Sequence, residues 1–104
     1  MEYCKVVAIL NISDYGVISE ELKRNNIPGV TVSRVQGYGD YVNNYAPFGF
    51  SENMKIEIYT HSDQAEDLAR QLTELANAMT DGGGVVAIEP VSTLLNVRKL
   101  TDSG

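Results

Sequence analysis

Few side chains in this chain could carry out covalent chemistry. Its 104 residues include one cysteine, Cys4, and one histidine, His61. A thiolate nucleophile needs a base beside it to hold it ionised. Cys4 instead opens a run rich in Val and Ile, where a thiol packs as a small hydrophobe. His61, Asp63 and Glu66 lie close enough in sequence to suggest metal ligands, but they span a strand-to-helix junction, where Asp63 with Glu66 three residues on reads as a capping pair. No carboxylate pair or Cys/His pair offers an alternative, so the sequence predicts a protein that is not an enzyme, with no metal and no catalytic cofactor. Two unusual stretches remain. Residues 37–54, GYGDYVNNYAPFGFSENM, hold five of the eight aromatic residues, three glycines and a proline. A glycine triplet, Gly82 to Gly84, follows a helical pattern, where a C-cap and turn is its ordinary use.

The elements that must position these stretches are legible from periodicity. YCKVVAILN at 3–11 reads as a largely buried strand. SDYGVISEELKRNN opens with cap-type residues, sets Val17, Ile18 and Leu22 to one side, and ends at Asn25, Asn26, Pro28 and Gly29, as an amphipathic helix should. VTVSRVQ at 30–36 makes a second strand, and MKIEIYT at 54–60 alternates cleanly, with Met54, Ile56 and Ile58 on one face. Over 63–79, Ala65, Leu68, Ala69, Leu72, Leu75, Ala76 and Met79 recur at three- and four-residue spacing and form the apolar stripe of a second helix. VVAIEPV then makes a fourth strand stopped by Pro90. The order β-α-β-β-α-β predicts one α+β domain, 1–104, of ferredoxin-like form: an antiparallel sheet with both helices on one face. The other face carries polar Lys5, Ser33, Arg34 and Glu57 among Val7, Ile9, Val32 and Tyr59, and that mixture asks for a cover, most economically another copy of the chain. In this arrangement residues 37–53 are far longer than a hairpin needs.

Bulk composition narrows the classes of function. The formal charge of -6, with only eight Lys and Arg, argues against a nucleic-acid binder, which needs a basic stripe to displace counterions. No apolar run approaches the roughly 20 residues of a membrane span, so the chain is not expected to be membrane-embedded. Residues 1–12 lack the features of a signal peptide. One cysteine allows no internal disulfide and fits a reducing, cytoplasmic setting.

Three segments in this order resemble the PII signal-transduction family, and in particular its short-loop PII-like branch. GVTVSRVQGYG at 29–39 is similar to the family's lead into a long T-loop; MKIEIYT is similar to its returning strand; and DGGGVVAIEPVSTLLNVRKLTDSG is similar to its phosphate loop, last strand and basic tail. The resemblance implies a T-loop at about 37–53, a phosphate loop at about 81–85 and a tail at about 91–104. It also implies a homotrimer that binds adenine nucleotides in inter-subunit clefts and switches its T-loop to control a target. On that resemblance the nucleotide-binding residues are Thr31, whose hydroxyl can bond the base, Gly37, Tyr38 and Gly39 at the loop base, Tyr59, Gly82, Gly83, Gly84 and Val85 around the phosphates, and Arg98, pairing with a phosphate across a subunit boundary. Thr31 would otherwise be an ordinary β-branched strand residue. Glycines there let a phosphate approach backbone N–H groups.

The departures from the family pattern shape the expected ligand. Val85 stands in place of the lysine after the phosphate loop, Asn96 in place of the first tail arginine and Asp40 in place of the arginine at the T-loop base. With these cations missing, the site should favour ADP or AMP over ATP, unless Lys55, Lys99 or a metal compensates. Tyr41 replaces the glutamine that helps bind magnesium and 2-oxoglutarate, so that ligand should be lost. Short-loop relatives linked to inorganic-carbon uptake imply a second small anion, such as bicarbonate, at Gly39, Asp40 and Tyr41. They also imply a target such as a bicarbonate transporter, gripped by Tyr45, Phe48 and Phe50. The alternatives are a nitrogen-regulatory PII protein acting on an ammonium transporter or nitrogen enzyme, an acylphosphatase-like enzyme, and a member of the cation-tolerance family. An acylphosphatase loop would carry an arginine after the first strand, and the cation-tolerance family would need metal ligands.

Overall fold

A computed structural model describes residues 2–10, 15–25, 27, 29–37, 51–79 and 84–97. Six elements follow in the order expected: β1 (Tyr3–Leu10), α1 (Tyr15–Arg24), β2 (Thr31–Gly37), β3 (Ser51–His61), α2 (Ser62–Met79) and β4 (Gly84–Val91). The four strands form one sheet in the order β2-β3-β1-β4, and every neighbouring pair is antiparallel. Each helical crossover therefore skips one strand, giving the interleaved β-α-β halves of a ferredoxin-like α+β fold.

The core forms where the apolar faces of both helices meet one face of the sheet. From β1 come Cys4, Val6, Ala8 and Leu10, from β3 Ile56 and Ile58, from α1 Ile18 and Leu22, and from α2 Ala65, Leu68 and Leu72. Ile18, Ile56 and Leu72 are wholly excluded from solvent. The period-two alternation of β3 and the three-four stripe of α2 thus meet as their sequences predict. Cys4 is buried in this cluster, its Sγ 3.2 Å from Ser62 Oγ, and so packs as a hydrophobe. At the end of α1, Asn25 N–H and its side-chain Nδ2 both donate to the Glu21 carbonyl, at 3.1 and 2.8 Å. This closes the helix, while Lys23 and Arg24 place positive charge in its last turn.

Four expectations are corrected. Pro90 does not stop β4: it lies inside the strand opposite Cys4, and the strand runs to Val91. An edge strand tolerates the missing N–H of proline. Helix α2 starts at Ser62, one residue earlier than read, so Asp63 sits in the first turn, where its charge complements the helix dipole, rather than at the cap. Val32 and Arg34 are not on the uncovered sheet face. They pair with Ile56 and Met54, and so belong to the helix side, where Val32 packs against the core. Finally, Gly37 pairs with Ser51, Gln36 with Glu52 and Val35 with Asn53, so both ends of the 37–53 loop are strand and the connection proper is 38–50.

Candidate ligand-binding site

The uncovered sheet face is set by the strand register. β1 contributes Tyr3, Lys5, Val7 and Ile9; β3 contributes Lys55, Glu57, Tyr59 and His61; Thr31, Ser33 and Val35 come from one edge and Val85, Ala87 and Glu89 from the other. An ionic network crosses three of the strands. Lys5 Nζ donates to Glu57 Oε2 at 3.0 Å and lies 3.7 Å from Glu89 Oε2. The hydrogen bond to Glu57 raises the Lys5 pKa, with the Glu89 charge adding to it and desolvation opposing it. The same bond lowers the Glu57 pKa, again against desolvation. At one end of this face the rings of Tyr3 and His61 lie 4.7 Å apart, tilted by 31°.

Thr31 begins β2 directly opposite Glu57, with Tyr59 two residues further along β3 on the same face. The β2 ladder ends at that pair, so the stretch of β3 from Ile58 to His61 extends beyond its neighbour. Tyr59 is 53% exposed, which leaves its ring available for stacking on a planar ligand. Gly84 and Val85 start β4, opposite Leu10 and Ile9. They lie at the sheet end from which the 38–50 connection also departs, but on the other edge. Three interstrand steps separate β2 from β4, roughly 14 Å at ~4.8 Å per step.

Within one chain, then, the sheet brings Thr31 and Tyr59 together and keeps both apart from Gly84 and Val85. Glu57, which the sequence reading placed only among the polar residues of the open face, stands opposite Thr31. Gly84 has a packing reason of its own. A Cβ built on it would lie 2.9 Å from the Ile9 carbonyl oxygen and 3.0 Å from Leu10 Cδ2, so close strand approach explains this glycine with no ligand present. Tyr38, Gly39, Asp40, Tyr41, Tyr45, Phe48, Phe50, Gly82, Gly83 and Arg98 lie outside the described residues. Among the described residues no cluster of metal-ligating side chains occurs, and no helix is long and apolar enough to cross a membrane.

A family model described as "Nitrogen regulatory protein P-II" matches residues 3–100. The chain belongs to the P-II family. A rice protein and an Arabidopsis thaliana protein, each described as a "Nitrogen regulatory protein P-II homolog", are both 31% identical to it over 105 aligned positions and 93% of this chain. Those positions are 50% and 54% of the two relatives, so the chain spans about half the length of the curated P-II proteins it matches. The crystal structure of Arabidopsis thaliana PII bound to citrate superposes with a TM-score of 0.73 at 31% identity, covering 93% of this chain and 84% of that one. P-II proteins are regulatory signalling proteins rather than enzymes, and a trimer is typical of them.

Proposed function

We propose that this P-II chain binds ADP or AMP in preference to ATP, in clefts between copies of itself, and passes the ligand state to a partner through the 38–50 connection. The observation that carries this reading is the division of the expected contacts between opposite sheet edges. Thr31, Glu57 and Tyr59 suit a purine. The hydroxyl and carboxylate can bond its polar edge and the ring can cover its face. Gly84 and Val85, with the glycines before them, suit phosphates, and roughly 14 Å of sheet lies between them and the purine contacts of the same chain. A trimer that sets the β2 edge of one copy near the β4 edge of the next unites the two halves. Ile9, Val85 and Ala87 on the uncovered face supply apolar area for that association.

The preference for fewer phosphates follows from charge. Val85 and Asn96 supply no cation where the family pattern has one, Asp40 adds an anion, and a triphosphate needs more neutralisation than a diphosphate. By the same resemblance a second small anion, bicarbonate, binds at Gly39, Asp40 and Tyr41. Tyr45, Phe48 and Phe50 then grip the target, a membrane transporter such as one for bicarbonate, from the cytoplasmic side. This is the behaviour of a short-loop PII-like protein. The names of the curated relatives favour a second reading, regulation of nitrogen metabolism. That reading requires 2-oxoglutarate binding, which Tyr41 disfavours.

Calorimetric titration with AMP, ADP and ATP, each with and without bicarbonate, tests the first reading, and a parallel titration with 2-oxoglutarate tests the second. Binding of ADP or AMP tighter than ATP is expected. No heat from any nucleotide would end the proposal, and ATP-dependent 2-oxoglutarate binding would replace it with the nitrogen reading.

A further inference from the structure

Among the described residues of the uncovered sheet face, the lysines are Lys5 and Lys55 and there is no arginine. Their surroundings differ. Lys5 is committed, since it donates to Glu57 at 3.0 Å and lies 3.7 Å from Glu89. Lys55 makes no ion pair among the described residues. Its neighbour on the same face of β3 is Glu57, two residues away and roughly 7 Å along the strand. The Lys5 hydrogen bond is the main cause of the lowered Glu57 pKa, and the Lys55 charge adds to it without an ion pair.

The strand register gives Lys55 a second direction to reach. Ile9 pairs with Lys55 on one side and with Val85 on the other. Lys55, Ile9 and Val85 therefore form one row across β3, β1 and β4 on the uncovered face. Two interstrand steps, roughly 10 Å, separate the ends of that row. Ile9 is only half-buried, so the four-carbon stem of Lys55 can lie along it and carry the ammonium toward the β4 edge. At that edge Val85 is 37% exposed and brings no charge, in the place where the P-II pattern has a lysine.

We infer that Lys55 supplies the cation that Val85 lacks and binds the terminal phosphate of ADP at the Gly84 end of β4. The inference rests on the nucleotide reading given above, in which one copy holds the purine and the next holds the phosphates. Lys55 and Gly84 belong to the phosphate-holding copy, and the last phosphate reaches furthest into it. A phosphate carries more charge than a carboxylate and outcompetes Glu57, whose charge Lys5 already offsets. AMP ends one phosphate short of Lys55. ATP adds a phosphate for which this row has no second cation. The site therefore prefers ADP to both.

Calorimetric titration of the whole protein with AMP and with ADP, at low and at high salt, tests this. The parent should bind ADP about tenfold tighter than AMP at low salt, and the gap should narrow as salt rises. Lys55→Met keeps an apolar stem and removes the charge. It should weaken ADP about tenfold and AMP by less than about twofold. Lys55→Met/Val85→Lys moves the cation to the β4 edge and should recover most of the ADP affinity, which a merely structural role of Lys55 would not allow. Lys23→Met removes the same charge from the last turn of α1 and should change ADP affinity by less than about twofold, within the range of long-range screened charge. Unchanged ADP affinity in Lys55→Met, equal losses of ADP and AMP, or an equal loss in Lys23→Met would overturn the inference and leave the nucleotide reading standing. Absence of a salt-sensitive gap between ADP and AMP in the parent would do the same without any variant. No binding of either nucleotide by the parent would end the nucleotide reading itself, and the inference with it.

Discussion

Replacing Gly84 by alanine tests why this glycine exists. The added Cβ would stand 2.9 Å from the Ile9 carbonyl oxygen, about half an ångström inside ordinary van der Waals contact. Ile9 lies in β1, which is paired on both sides, so its carbonyl cannot retreat. β4 is an edge strand and must give way, loosening its pairing with β1 at the Gly84–Leu10 end. Overpacking of this kind costs ~1–3 kcal/mol. The reduced freedom of the unfolded chain returns ~0.4–1 kcal/mol, so the middle of each range leaves a net loss of about 1–2 kcal/mol. Gly29 is the internal control, since a Cβ there meets nothing within 4 Å, and Gly29→Ala should be neutral or slightly stabilising. Urea unfolding followed by circular dichroism, at several protein concentrations because association adds stability, gives both values. With a slope of ~1–2 kcal/mol per molar urea, the Gly84→Ala midpoint should fall by roughly 0.5–2 M. If Gly84→Ala matches the parent, or if Gly29→Ala costs as much, the close-approach account of Gly84 is wrong.

Ile56 is fully buried between the helices and the centre of the sheet, so Ile56→Ala should cost ~2–5 kcal/mol, read as a lower urea midpoint; a loss below ~1 kcal/mol would show that the site collapses around the gap. The Glu57 pKa is lowered by Lys5, so its contribution is present above the ordinary glutamate value and is lost as pH falls through the lowered one. Lys5, with its pKa raised, contributes below the ordinary lysine value and loses that contribution as pH rises through the raised one; stability should therefore sag on the acid side below about pH 4 and again above about pH 10.5. NMR titration should find Glu57 below the glutamate norm in the parent and titrating higher in Lys5→Met, and an unchanged titration would deny the ion pair. Thr31→Val keeps the β-branched shape and removes the hydroxyl, so calorimetry should show ADP binding weakened about fivefold to tenfold with unfolding little changed; equal affinity would take Thr31 out of the site.

The sequence by itself determined the elements and their order. The three-four stripe from Ala65 to Ala76, the alternation of Met54, Ile56 and Ile58, and the cap-and-breaker residues around α1 are local signals, readable because each element's periodicity reflects which of its own faces is buried. Segment similarity at Gly29–Gly39 and beyond Asp81 also carried the P-II resemblance that the family match bears out. Register and lateral strand order were decided only in the tertiary structure. Val32 and Arg34 fall on the helix side because successive residues of a strand alternate faces, and the pairing of Ser33 with Lys55 puts Ser33, not its neighbours, on the uncovered one. Pro90 stayed within a strand because β4 is an edge, a property no local window contains. The glycine at position 84 looked like part of a phosphate loop, while its closest neighbour proved to be the carbonyl of Ile9, 75 residues earlier in the chain. Above all, the sheet order sets Thr31 and Val85 on opposite edges. The resemblance already implied a site between subunits; the tertiary structure adds the roughly 14 Å of sheet that separates the two residues within one chain.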